Sequence, residues 1–353
     1  MSALRAAITA IHYCLPATRL TQAELEGRFD PKLLKSITKM SGIVERRVTA
    51  PGQTAADLAF VAAQRLLEAR GLSPSEIDLI VFASQTGDYQ IPATACVLHG
   101  RLGLAETCAA FDINLGCSAF PYGLAVVDGM IRSGKVKKAL LLNADALTQV
   151  IHPRDRGLVP LHGDGAVATL LEPSPGGDGL QGTLLGTDGK GAEHLMIPAS
   201  GARKPRSLET AREIVDSSGS TRTEEHLHMN GPAVFHFTVY KVPEVIRKAL
   251  VQFGVTMDDI DLVILHQANK TMLDLIYKAL NVPEAKRFFY LETVGNMSGA
   301  STPMALAEAV RQGRVRPGSL TLLASFGVGF SWGVALLRWP AAGIAAVDSP
   351  VDF

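Results

Sequence analysis

Apolar residues in this chain gather in short unbroken runs divided by polar, glycine-containing turns. Leu79-Ile80-Val81, Ala139-Leu140-Leu141-Leu142, Leu262-Val263-Ile264-Leu265 and Leu320-Thr321-Leu322-Leu323 have the length and composition of strands buried on both faces. Met1 to Pro16, small and apolar with His12 among them, predicts one more strand rather than a signal sequence. After Asp112-Ile113-Asn114-Leu115-Gly116-Cys117-Ser118-Ala119, the residues Tyr122, Leu124, Val126, Val127, Met130 and Ile131 recur at helical spacing.

The pattern occurs twice. Gly71-Leu72-Ser73-Pro74-Ser75-Glu76-Ile77-Asp78-Leu79-Ile80-Val81 matches Gly254-Val255-Thr256-Met257-Asp258-Asp259-Ile260-Asp261-Leu262-Val263-Ile264 as helix exit, loop and buried strand. The stretch from Leu115 to Gly134 matches that from Gly295 to Arg316 as turn, helix and exit. Each half then closes with a glycine turn and a strand, at Gly163-Asp164-Gly165 and at Gly327-Val328-Gly329. With the strands Ala139-Leu140-Leu141-Leu142 and Leu320-Thr321-Leu322-Leu323 that follow the matched helices, four matches in one order predict a duplicated α/β unit with helices between and outside the sheets. The halves are expected at 1–175 and 176–353, divided at the linker Pro173-Ser174-Pro175-Gly176-Gly177. The polar stretch from Ala199 to Glu225 reads as a partly mobile excursion that could act as a lid.

The 353 residues are 47% hydrophobic and 19% charged, enough for a large core. Lys+Arg and Asp+Glu both number 34, which gives no support for nucleic-acid binding as the main role. The four cysteines, Cys14, Cys96, Cys108 and Cys117, show neither metal-ligand spacing nor a secreted disulfide framework. No run is long enough to span a membrane, and a soluble cytoplasmic protein is expected.

Against that background Cys117 stands out. Gly116 permits a sharp turn, and Cys117 would lie near the first turn of a helix, where free N–H groups and the helix dipole favour a thiolate. On this motif alone, a small buried cysteine filling a strand–helix contact reads equally well. Duplication adds two groups at equivalent positions: His266 after the strand Leu262 to Leu265, and Asn296 in the turn before the last long helix. Taken singly, a strand-end histidine is ordinarily structural and an asparagine after glycine a turn former. Jointly, a thiol, an imidazole and a carboxamide can run acyl transfer, and the loop Gly327-Val328-Gly329 can aim N–H groups at an oxyanion. The order Cys117, His266, Asn296 also echoes a cysteine hydrolase, which remains the competing class. A non-catalytic partner of another enzyme would be expected to have lost one of the three.

These residues resemble the β-ketoacyl-ACP synthase III family of the thiolase superfamily. The carriers are Gly116-Cys117-Ser118, Asp155-Arg156-Gly157, Gly163-Asp164-Gly165-Ala166, His266-Gln267-Ala268-Asn269, Gly295-Asn296-Met297-Ser298-Gly299-Ala300-Ser301 and Phe326-Gly327-Val328-Gly329-Phe330-Ser331-Trp332-Gly333. The resemblance implies a duplicated thiolase-like five-layer αβαβα fold, a homodimer, and no metal or redox cofactor. It implies decarboxylative condensation of an acyl thioester with a malonyl thioester through acyl-Cys117, in fatty-acid initiation or as the starter step of a specialised pathway. CoA or the phosphopantetheine of acyl carrier protein would carry the acyl groups.

By the same resemblance His266 and Asn296 bind the malonyl carbonyl, and the amides of Cys117 and Val328 hold the oxyanion. Phe326, beside Gly327, gives the malonyl carboxylate an apolar neighbour. Arg156, Gly231, Phe235 and Asn269 are implied in substrate binding, and Ile91 in shaping the partner subunit's acyl pocket. Ser36 and Met40 stand where typical members place a tryptophan and an arginine around the adenine of CoA, which implies weak use of acetyl-CoA. Thr271 replaces an arginine implied in carrier docking, with Lys270 beside it, and Gly231-Pro232 replaces the usual Gly-Asn pair.

Overall fold

The apolar runs form two separate sheets. The structure is a computed structural model and describes residues 4–174, 177–340, 345–346 and 351–353. The first sheet contains β1 (Arg5–Leu15), β2 (Leu79–Ala83), β3 (Ala109–Ile113), β4 (Ala139–Asp145) and β5 (Gly165–Ser174), in the order β1-β5-β4-β2-β3. The second contains β6 (Gly179–Thr187), β7 (Leu262–Leu265), β8 (Leu320–Gly327) and β9 (Ser331–Arg338), in the order β6-β9-β8-β7. Each has the same pairing, parallel for β2 with β4 and β7 with β8, then antiparallel across the next two strands. The isolated parallel bridge between Val263 and Arg287 occupies, on the second sheet, the edge that β3 holds on the first.

Strands β2 and β7 are buried along their whole length, which is why their sequences run apolar without alternation. Leu79, Val81 and Ala83 face the core between the sheets, and Ile80 and Phe82 face the outer core. The helices preceding these strands, α2 (Ala55–Arg70) and α4 (Val242–Phe253), both end at a left-handed glycine, Gly71 at φ 61° and Gly254 at φ 68°. Glycine takes that conformation without a Cβ clash, so the chain can turn sharply into the strand.

Helices α3 (Ala119–Arg132) and α6 (Ser301–Arg311) touch strands of both sheets and form the middle layer. Small residues on α6, from Ala305 to Ala309, let the sheets close on it. The one acid buried there, Glu308, accepts a hydrogen bond from Tyr13 Oη at 2.5 Å and pairs with Arg311. Helix α2 covers the outside of the first sheet, and α4 with α5 (Lys270–Ala279) covers the second. The result is five layers, αβαβα. No described helix is long and apolar enough to cross a membrane.

Pro175 and Gly176 of the expected linker lie outside the described residues. The short strands Ala345–Ala346 and Val351–Asp352 return to pair with β1. The excursion over 199–225 is more tightly tied than its composition suggests. It forms the hairpin Ile214–Val215 with Thr221–Arg222, and Lys204–Glu224, Arg206–Glu225, Arg222–Asp216 and Arg154–Glu213 ion pairs fasten it.

Candidate active site

Cys117 stands two residues before the start of α3, whose N-cap is Ser118. The turn needs glycine at 116, because a Cβ there would lie 2.3 Å from Gln85 Oε1 and 2.9 Å from Ser298 Oγ. The second half meets the first at this sulfur. A Cβ on Gly327 would lie 2.6 Å from both Cβ and Sγ of Cys117, so only glycine lets the β8 end approach. The expected low-pKa thiolate is not what burial yields. Desolvation dominates and pushes the Cys117 thiol up to about 11, with the Asp145 charge adding to it. The amides of Val328 and Cys117 and the Ser298 hydroxyl act in the opposite sense but do not outweigh it.

His266 directly follows β7, and its N–H continues the ladder by donating to the Ala324 carbonyl at 2.8 Å. The ring stands edge-on to Phe326 at 5.8 Å and an interplanar angle of 89°. Nδ1 is buried without a hydrogen-bond partner among the described residues. Desolvation, with His162 adding to it, lowers the His266 pKa to about 3, so the imidazole is neutral near pH 7.

Asn296 follows Gly295, which takes φ 77°. Its backbone is pinned to the first half: its N–H donates to the Leu161 carbonyl at 2.9 Å, and its carbonyl accepts from Gly163 N–H at 3.1 Å. Its side-chain Oδ1 accepts from Ser298 N–H at 3.0 Å and from Ser301 Oγ at 3.4 Å. Two donors on Oδ1 fix which end of the carboxamide is oxygen.

Cys117, His266, Asn296, Asn269, Phe326, Gly327 and Val328 all line one cavity of about 90 Å³. Its wall is otherwise mostly apolar, with Leu147, Leu161, Leu195, Leu227 and Met272. Four expected residues stand outside this lining. Phe235 is 39% exposed, and Val234 and Thr238, on either side of it, face the cavity instead. Gly231 opens the short helix Gly231–His236. Arg156 lies against Gly219, where a Cβ would be 3.0 Å from its Cζ. Ile91 is 88% exposed on the surface.

Sequence reasoning missed Gln85, Asp145, His162 and Ser298. Asp145 ends β4 and is fully buried, accepting from Gln85 N–H at 2.8 Å and Gly299 N–H at 3.2 Å. Asn143 precedes it in the same strand, so the apolar run by itself did not reach Asp145. A thiol under two backbone N–H groups, beside a neutral imidazole and an oriented carboxamide, can accept an acyl group and stabilise an enolate.

The family model described as 3-oxoacyl-[acyl-carrier-protein (ACP)] synthase III matches residues 111–189, and the one for the C-terminal part matches 250–339. The beta-ketoacyl-[acyl-carrier-protein] synthase III of Caldanaerobacter subterraneus subsp. tengcongensis is 37% identical over 328 residues, 92% of this chain and 95% of that protein. A crystal structure of 3-oxoacyl-(acyl-carrier-protein) synthase III superposes with a TM-score of 0.93 at 38% identity, covering 95% of this chain and 100% of the other. A 3-oxoacyl-(acyl-carrier protein) synthase from Burkholderia xenovorans LB400 gives 0.91 at 32% identity, covering 100% and 98%.

Proposed function

The chain belongs to the 3-oxoacyl-ACP synthase III family, and we propose that its cavity carries out the family's condensation with Cys117 as acyl carrier, His266 and Asn296 as enolate stabilisers and Val328 as an oxyanion donor. The enzyme is a β-ketoacyl-ACP synthase III acyltransferase. The observation that carries the residue assignment is the meeting of Cys117, His266 and Asn296, from three separate turns of the chain, on one cavity.

The Cys117 sulfur attacks an acyl thioester, and the Cys117 and Val328 amides take the oxyanion. The donor thiol leaves and the acyl group stays on sulfur. A malonyl thioester then enters. Neutral His266 and the Asn296 amino group donate to its carbonyl oxygen as carbon dioxide departs. The apolar face of Phe326 disfavours the carboxylate and favours its loss. The enolate carbon attacks acyl-Cys117, and a β-ketoacyl thioester is released. Acyl groups come on CoA or on acyl carrier protein, and malonyl on acyl carrier protein. The working unit is a homodimer, a reading supported by the exposure of Tyr89 at 63% and Ile91 at 88% in the single chain. The relatives give no support to the cysteine-hydrolase alternative.

The test is incubation of the protein with acyl and malonyl thioesters, followed by mass measurement of the Cys117 peptide and of the product. Acyl-Cys117, carbon dioxide and a β-ketoacyl thioester are expected, and all three should disappear in Cys117→Ser. Acyl label on Cys14, Cys96 or Cys108 would reject the assignment.

A further inference from the structure

His162 is a second imidazole in the mostly apolar wall of the cavity, and the steps assigned to Cys117, His266 and Asn296 do not use it. It is 6% exposed and lines the cavity together with Leu147, Leu161, Leu195 and Leu227. Its backbone is held from several sides. Asp155 Oδ1 accepts from Gly157 N–H at 2.9 Å and from Leu158 N–H at 3.0 Å, which closes the turn leading to it. The His162 N–H donates to the Leu158 carbonyl at 3.2 Å, and the residue forms an isolated parallel bridge with Asn296. The next residue must be glycine, because a Cβ on Gly163 would collide with the Val294 carbonyl. His162 is thereby fixed next to a residue of the reacting centre, not at a distant end of the cavity.

The hydrogen bond of the ring fixes its tautomer. Nδ1 lies 3.0 Å from the Leu158 carbonyl, and a carbonyl can only accept, so Nδ1 carries the proton. Burial lowers the His162 pKa against the Leu158 bond and the Asp155 charge, which keeps the ring neutral near pH 7. Nε2 is then a lone-pair acceptor, and it has no hydrogen-bond partner among the described residues. Such an acceptor costs free energy when a substrate expels water from the cavity and offers no donor in its place.

The malonyl end cannot supply that donor. Its carboxylate, its thioester carbonyl and the enolate formed from it are all acceptors. An Nε2 without a proton cannot donate to them either, which separates His162 from the role given to His266. Amide N–H groups of the thioester arm are common to every substrate and set no preference among acyl groups. The variable group left to face Nε2 is the acyl chain. We infer that His162 is a specificity residue for this chain, and that the cavity selects short acyl groups with a hydroxyl on C2 or C3, whose O–H donates to Nε2. The hydroxyl belongs near the thioester because His162 is bridged to Asn296. A site built to bond a substrate hydroxyl rejects the analogue that lacks it, since the buried acceptor is then left unpaired. The inference rests on Cys117 being the acyl carrier.

The experiment is a competition for the full chain. Butanoyl N-acetylcysteamine thioester is mixed in equal amount with one enantiomer of the 2-hydroxybutanoyl or 3-hydroxybutanoyl thioester at a time. The two masses on the Cys117 peptide give the ratio of kcat/KM directly. The wild type should take at least one hydroxyacyl group about tenfold or more over butanoyl. His162→Phe keeps a ring of similar size without the acceptor, and its ratio should fall below one, because the hydroxyl then enters an apolar wall unpaired. His162→Gln returns an acceptor oxygen and should restore part of the preference. Both masses are read in one sample, so a loss of folded protein lowers them alike and leaves the ratio unchanged. A wild type that takes butanoyl as readily as every hydroxyacyl group would overturn the inference and show that water serves Nε2. An undiminished hydroxyacyl preference in His162→Phe would overturn it as well. A wild type that acylates elsewhere than Cys117 would reject the functional reading itself.

Discussion

The amide N–H of Ser298 donates to Oδ1 of Asn296 at 3.0 Å, and this one bond turns the Asn296 amino group away from Ser298 as a free donor. The same residue thereby orients the carboxamide with its backbone and lines the same cavity as Cys117. The two half-reactions share a hinge point of only three residues, 296 to 298.

Asn296→Asp keeps the acceptor for Ser298 N–H but places a carboxylate where the enolate would form. Asn296→Ala removes the donor outright. Both should still form acyl-Cys117, and carbon dioxide release from malonyl thioester should fall by about a hundredfold to a thousandfold. Labelled malonyl thioester and the acylated protein suffice for the assay. Undiminished release from Asn296→Asp would remove Asn296 from the enolate site.

The His266 imidazole should remain neutral across the working range, because burial lowers its pKa to about 3 while an unfolded histidine titrates near 6.5. The sign follows from linkage. Above about pH 6.5 both folded and unfolded forms are neutral, and below it the unfolded chain binds the extra proton. This residue therefore withdraws stability as pH falls from about 6.5 towards 3. An NMR titration of histidine ring signals should show His266 unshifted between pH 5 and 8. A midpoint between 6 and 7 would contradict the neutral-donor role.

Gly327→Ala should damage acylation out of proportion to its size. The added methyl would fall 2.6 Å from Cys117 Cβ and Sγ, and either the sulfur or the Val328 amide must move. Displacement by about 1 Å at a reacting centre can cost on the order of a hundredfold in rate. Acylation of Cys117 should show this loss in a protein that retains its near-ultraviolet circular dichroism. Full-rate acylation would mean that the loop relaxes freely.

Ile91 should matter only through a second copy of the chain, since it is 88% exposed and lies outside its own cavity lining. Light scattering should report a dimer. Ile91→Trp should shift the accepted acyl chains to shorter lengths, tested with a series of acyl thioesters. An unchanged series would mean that Ile91 takes no part in the acyl pocket.

The duplicated order of strand, turn and helix was legible because the apolar runs of β2, β4, β7 and β8 need no tertiary information, and His266 directly follows one of them. Asp145 was not, because the unbroken apolar run stops at Leu142 while β4 continues through Asn143 and Ala144. Polar residues at that end mark the site rather than the end of the strand. Phe235 misled for a different reason. A wide π turn at Phe237–Lys241 joins the helix Gly231–His236 to α4, and the cavity-facing residues are Val234 and Thr238. The high Cys117 pKa also lay beyond sequence: the turn before a helix is visible in the residues, but the depth of burial is a property of both sheets together.

Donor preference is expected to depend on the helix that lies beside Met272 of the cavity. Ser36 and Met40 lie one turn apart on the exposed face of the capped helix Pro31–Ser41. That helix abuts the start of α5, where Thr271 Oγ1 donates to the Met40 carbonyl at 2.7 Å and the next residue, Met272, lines the cavity. A hydroxyl and a thioether on this helix cannot grip an adenine between an aromatic face and a guanidinium. Lys32, Lys35 and Lys39 are exposed on the same helix and suit phosphate or an acidic carrier instead. The expected outcome is a lower kcat/KM for acylation from acetyl-CoA than from the same acyl group on acyl carrier protein. Ser36→Trp should reverse part of the difference by lowering KM for CoA donors with little change in kcat, since stacking on adenine acts equally in ground and transition states. Efficient acetyl-CoA priming by the wild type, unmatched by any carrier-bound donor, would show that another surface of the protein holds the nucleotide.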